Sequence, residues 1–218
     1  MKNSTFATLA TALPLALCLI LSAAPADAQV GNNMGVANPN RASAEELAAQ
    51  LHVTAELAAA IVEGRPYLSM ADFNAVVTAH LTAEQAAELY VGLFLPINLN
   101  DVTNEERLMV PGVGGRMAHE FEEYAPYVAI EQFRREIGKY VEDEEVARLE
   151  QYVFVPIDLN TAGDEAILSI PGMGKRMLHE FKEYRPYVAI EQFRREIGKY
   201  VDDDEVARLE RYVEVVSE

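Results

Sequence analysis

Apolar residues between positions 103 and 153 recur at helical rather than strand spacing. Met117, Phe121 and Tyr124 stand at i, i+4 and i+7 and so share one face of a helix. Ile130, Phe133 and Ile137 mark a following helix, and Val146, Leu149 and Val153 another. Ahead of these, Thr103-Asn104-Glu105-Glu106 has the spacing of a capping box, in which a hydroxyl and a later carboxylate satisfy free backbone amides at a helix start. A short first helix is therefore predicted after Thr103. It stops at Val110-Pro111-Gly112-Val113-Gly114, because proline opposes helix continuation and glycine admits a tight turn. Pro126-Tyr127 ends the second helix. No stretch alternates with a period of two, so the predicted class is all-α.

The pattern is duplicated along the chain. Residues 126–141, PYVAIEQFRREIGKYV, recur unchanged at 186–201, and 186 − 126 gives a period of 60. Subtracting the same period reveals a diverged copy, in which Asn38, Asn40, Glu45, Glu46, Pro66, Tyr67 and Phe73 match Asn98, Asn100, Glu105, Glu106, Pro126, Tyr127 and Phe133. The predicted boundaries are 37–96, 97–156 and 157–216: three tandem four-helix units of two hairpins each. Ser43 to Glu46 repeats the capping box. The third copy has Gly163 there, followed by Asp164 and Glu165, whose charges favour a helix start without the hydroxyl. The junctions FLPINLN (94–100) and FVPIDLN (154–160) are short, apolar and proline-containing, which predicts a semi-rigid row.

The N-terminus changes the picture of location. Lys2, an apolar run from Leu13 to Leu21 and small residues ending at Ala26-Asp27-Ala28 follow the order of a cleavable secretory signal. The run is roughly half the ~20 residues a membrane-spanning helix needs. We expect cleavage after residue 28, secretion to a bacterial periplasm, no transmembrane segment in the mature chain, and a flexible leader at 29–36, QVGNNMGV. A lipoprotein anchor on Cys18 is disfavoured because Leu17 is bulky and the cysteine lies inside the apolar run. Cleavage removes Cys18, the sole cysteine, and with it disulfide, thiolate-nucleophile and thiolate-ligand chemistry.

Formal net charge is −17, which repels nucleic acid and anionic lipid at long range. By repeat, basic and acidic residues number two and seven, six and thirteen, and nine and thirteen, giving −5, −7 and −4.

The run Leu159-Asn160-Thr161-Ala162, then Ile167-Leu168 and IPGMGKRM at 170–177, resembles the helix-hairpin-helix domain of the periplasmic competence DNA receptor family. The layout also resembles the small extrinsic helix-hairpin-helix subunit of photosystem II, a lumenal protein that docks onto other proteins. In the DNA-binding pattern both hairpins of a unit carry a glycine turn; here each unit is read as two helix-hairpin-helix motifs, one Gly-rich and one degenerate. In such a hairpin, glycines let backbone N–H groups converge on a phosphate oxygen at a helix N-terminus. The resemblance would place that site at Gly172, Gly174, Lys175 and Arg176, and at Gly112, Gly114, Gly115 and Arg116. It also permits a monovalent cation in the turns; no other cofactor is expected. Contacts of this kind read the backbone only, so DNA binding would be nonspecific and salt-sensitive.

Three departures favour a protein partner, such as an envelope or membrane-complex subunit, over DNA. Leu51, His52 and Thr54 stand where Pro111, Gly112 and Gly114 stand, which predicts no phosphate nest in the first copy. The second hairpins read GKYVEDEE (138–145) and GKYVDDDE (198–205), with carboxylates where a phosphate would enter. No repeat is basic. The acidic runs lack the glycine and spaced oxygens of a calcium loop. His119 with Glu123, and His179 with Glu183, are two ligands without a third. No Ser-His-Asp or Cys-His constellation, P-loop or glycosylase-type aspartate follows the hairpins, so no enzyme and no small-molecule substrate are expected.

Overall fold

The computed structural model describes residues 29–216; the expected signal segment, 1–28, lies outside them. The described chain is mostly helical. Helices α1 (Ala44–Ala48), α2 (Ala55–Glu63), α3 (Met70–Thr78) and α4 (Ala83–Tyr90) precede strand β1 (Ile97–Asn98). Then come α5 (Asn104–Met109), α6 (Gly115–Glu123), α7 (Ile130–Ile137), α8 (Asp143–Glu150) and strands β2 (Val153–Phe154) and β3 (Ile157–Asp158). Helices α9 (Asp164–Leu168), α10 (Lys175–Glu183), α11 (Ile190–Ile197) and α12 (Asp203–Glu210) lead to β4 (Val213–Glu214). Helix starts keep the sequence period: 55, 115 and 175 are 60 apart, as are 83, 143 and 203.

Local chemistry sets these starts. Ser43 and Thr103 form the expected capping boxes with Glu46 and Glu106, and Gly163 caps α9 without a side-chain bond. Ser69 with Asp72 and Thr82 with Gln85 form two more boxes, at α3 and α4. Each box satisfies amides that a helix start leaves unpaired. After each second helix a cis X-Pro bond, at Pro66, Pro126 and Pro186, leads into a buried tyrosine. An asparagine from the start of the repeat holds that tyrosine's backbone. Asn100 Nδ2 donates to Tyr127 O (2.8 Å) while Asn100 Oδ1 accepts from Tyr127 N–H (2.6 Å). Asn40 grips Tyr67, and Asn160 grips Tyr187, in the same way.

The stripes read from the sequence face inward. Phe121 of α6 meets Phe133 of α7 edge to face, with ring centres 5.3 Å apart; Phe181 and Phe193 repeat the pair at 5.1 Å. One core spans the first two repeats, and a second fills the third.

The helical class holds, and short strands that the sequence pattern did not indicate close each repeat. β1 pairs in parallel with β2, β3 with β4, and Ala37 bridges Leu93. The partners 37 and 93, 97 and 153, and 157 and 213 are each 56 residues apart, so the same closure joins the start of each repeat to its end. Two-residue strands are too short to leave an alternating pattern. Val153, expected on the fourth helix, instead opens β2, because α8 ends at Glu150.

The third repeat folds back against the first, an arrangement the repeat pattern leaves open. Arg211 Nη2 donates to Pro96 O (2.7 Å), and the Arg41 guanidinium lies against Gly172. Arg65 and Pro66 line one cleft with Asp202, Asp204 and Arg208. Within residues 29–36, expected to be a flexible leader, residues 30–33 pack across the second and third repeats. Val30 is fully buried, Val155 N–H donates to its carbonyl (2.9 Å), and Val30 N–H donates to Ser169 Oγ (3.1 Å). Burial of a valine contributes about 1.5–3 kcal/mol, enough to offset the ordering of a residue or two.

Candidate binding hairpins

The turn between α5 and α6 and the turn between α9 and α10 have matching backbones. Gly112 has φ +81° and Gly172 φ +80°, in the left-handed region that glycine enters without steric cost. Gly114 and Gly174 then cap α6 and α10 in extended conformation, with no side-chain cap. The first amides of both helices are thus left to solvent or a ligand. A Cβ added at Gly114, Gly115 or Gly174 would meet nothing within 4 Å, so the approach is open. Arg116, Lys175 and Arg176 sit exposed in the first turns, and Arg176 extends over the Tyr200 ring at 5.9 Å. The structure therefore brings the eight predicted residues together as two open hairpins, four residues in each.

The turn between α1 and α2 follows the same path without the glycines. His52 adopts φ +64°, the one non-glycine residue with positive φ among those described. Thr54 Oγ1 accepts from Leu57 N–H (3.2 Å), closing the amide end that is open in the other two hairpins. The loss of the nest read from the sequence thus rests on an occupied cap rather than on a different turn.

Three arginines at these turns were missed by sequence reasoning. Arg148 of α8 reaches Gly112, where a Cβ would lie 2.8 Å from Arg148 Nη2. Arg208 of α12, almost fully buried, donates from Nη1 to Pro171 O (2.7 Å). Each is held on two hydrogen bonds by a carboxylate one helical turn before it. Glu145 accepts from Arg148 at 2.7 Å twice, and Glu205 accepts from Arg208 at 2.6 and 2.7 Å. The Arg148 guanidinium holds the Glu145 carboxyl below its ordinary range, and Glu145 raises Arg148 in turn. So the acidic runs at the second hairpins do more than occupy helix starts: one acid from each neutralises an arginine at the adjoining glycine turn. The period could have flagged Arg148 and Arg208, because Glu88 occupies the matching place in the first repeat and faces His52 (Nε2 to Oε2, 2.6 Å). Arg41 carries no such signal, because it reaches Gly172 only through the folding back of the chain.

Among the described residues no group of three or more His, Cys, Asp or Glu side chains is placed to hold a metal, and no helix is long and apolar enough to cross a membrane. His119 and Glu123 stand 3.9 Å apart and His179 and Glu183 3.5 Å apart, as exposed pairs. No protein-family model, curated protein or solved structure matches the chain.

Proposed function

We propose that the chain is a non-enzymatic, periplasmic helix-hairpin-helix protein of three tandem four-helix units, serving as a docking or scaffold module for another protein of the cell envelope. The observation that carries this reading is the neutralisation of Arg148 and Arg208 by Glu145 and Glu205 at the glycine turns. A phosphate backbone is bound mainly through unpaired cations that release counterions. At these turns Arg148 and Arg208 are already paired, while the amides of α6 and α10 remain open. Open amides beside compensated charge suit a carbonyl or a single carboxylate of a protein partner, and the acidic surface suits a basic one.

A second reading, nonspecific DNA-backbone binding, draws on one feature. Lys175 and Arg176 flank the open start of α10, and Arg41 lies on the same turn at Gly172. One measurement separates the two readings: fluorescence anisotropy with duplex DNA over a salt series, run beside capture of partners from solubilised envelope. Docking predicts no saturable DNA binding near ~50 mM salt and a partner whose retention survives Lys175→Glu with Arg176→Glu. Tight DNA binding that falls steeply with salt and is abolished by that double variant would overturn the docking reading.

A further inference from the structure

Residues 30–33 lie in a cradle at the end of the second repeat. Beside the bond from Val155 N–H to Val30 O, Asn32 N–H donates to Glu150 Oε1 (2.9 Å). The Asn33 amide donates to the carbonyls of Glu150, Gln151 and Val153 (3.1, 3.2 and 2.9 Å). Carbonyls at a helix end lack helical partners and carry the negative end of the dipole, so a side-chain amide is a fitting cap for α8. Gly31, at φ +136°, permits the close approach; a Cβ there would lie 3.0 Å from Val153 O.

The same parts recur in the third repeat. Adding 60 to Ile130, Glu150, Gln151, Val153 and Val155 gives Ile190, Glu210, Arg211, Val213 and Val215. These five residues, with Leu68, line an open groove of about 460 Å³. Glu210 is gripped by Arg194 as Glu150 is by Arg134. Among the described residues none accepts from Val215 N–H, and none donates to the carbonyls of Glu210, Arg211 or Val213. The backbone groups that bind 30–33 in the second repeat are thus repeated and without partners among the described residues in the third, and the Glu210 carboxylate, like that of Glu150, is held by an arginine. The first repeat has Tyr90 and Val91 at the places of Glu150 and Gln151 and lacks the carboxylate.

We propose that this groove docks an extended segment of a partner protein with the chemistry Val-Gly-x-Asn. Its main chain pairs with the Val213–Val215 edge, and its asparagine amide caps the carbonyls at the end of α12. The chain's own 30–33 is the template for that chemistry. It is already engaged intramolecularly, where its effective concentration is high, which favours a separate polypeptide over a second copy. This surface is distinct from the glycine hairpins, so it stands or falls apart from them.

The test is titration of the peptide QVGNNMGV into isotope-labelled full chain, followed by amide chemical shifts. The expected result is saturable shifts at 190 and 210–215. Val215→Pro, which deletes the pairing N–H, should weaken binding about tenfold, the scale of one main-chain hydrogen bond. The same peptide with its counterpart of Asn33 changed to alanine should bind similarly weakly, a control that holds even if Val215→Pro perturbs the fold. Absence of saturation, shifts confined to 150–155, or equal affinity for the two peptides would overturn the proposal. Appearance of the 210–215 shifts with protein concentration alone would assign the groove to a second copy and overturn the partner reading.

Discussion

At the turn between α1 and α2, His52 holds φ +64° with Glu88 against its ring, and Thr54 closes the helix start. At the turn between α9 and α10, Gly172 holds φ +80° with Arg41 against it, Arg208 bonded to Pro171 O, and Gly174 leaving the helix start open. Two regions with the same backbone path therefore differ in every group they present. A hairpin needs one residue in the left-handed region and a helix N-cap. Glycine is the cheapest way to supply both, but a histidine and a threonine also suffice when a carboxylate replaces the arginine. The glycine version keeps its amides for a ligand, and the histidine version uses one of them internally.

The largest expected effect comes from denying glycine to the third turn. Gly172→Val should lower unfolding free energy by about 2 kcal/mol, read from the denaturant midpoint, because a β-branched residue is strained at positive φ. A loss below about 0.5 kcal/mol would mean that the turn tolerates side chains generally and that the glycine is not required by backbone. Thr54→Ala should cost about 1 kcal/mol through the lost cap. Gly114→Ser, at a cap with open space for the Cβ, should move stability by only a few tenths of a kcal/mol. Equal effects at the two positions would erase the distinction between closed and open hairpins.

A smaller effect is expected at His52. His52→Gly removes a left-handed cost of about 1 kcal/mol and a partly exposed contact with Glu88 of up to about 1 kcal/mol, so the net change should be near zero. Adding Glu88→Arg with Gln85→Glu rebuilds the glycine, arginine and carboxylate of the second and third repeats. The triple variant should be at least as stable as His52→Gly alone in the same chemical denaturation. The smallest effect is that of pH. Glu145 is held below its ordinary range by Arg148, so its folded value lies beneath its unfolded one. The pair therefore stabilises above the ordinary carboxylate range, and that contribution is lost as pH falls through the lowered value. Arg148→Ala should flatten the acid limb of the melting temperature slightly; an unchanged limb would show the pair to be energetically silent.

Much of the fold was legible because its signals are local. Ser43, Thr103, Gly112 and Gly172 each act within a few residues of themselves, and the 60-residue period carries their positions along the chain. The eight candidate hairpin residues were legible for the same reason. Arg148 and Arg208 were harder to find, since they act on turns about 36 residues earlier, and Arg41 was invisible, since it acts on Gly172 across the whole chain.

The amino-acid pattern by itself determined the helical class, the repeat length and the hairpin turns, since capping, glycine permissiveness and apolar periodicity are properties of short segments. Only tertiary structure decided that the row of repeats folds back, that short parallel bridges close each repeat, and that Val30 is buried where a flexible leader was expected. Those outcomes depend on surfaces meeting across 56 to more than 130 residues, and no local spacing records which surfaces will meet.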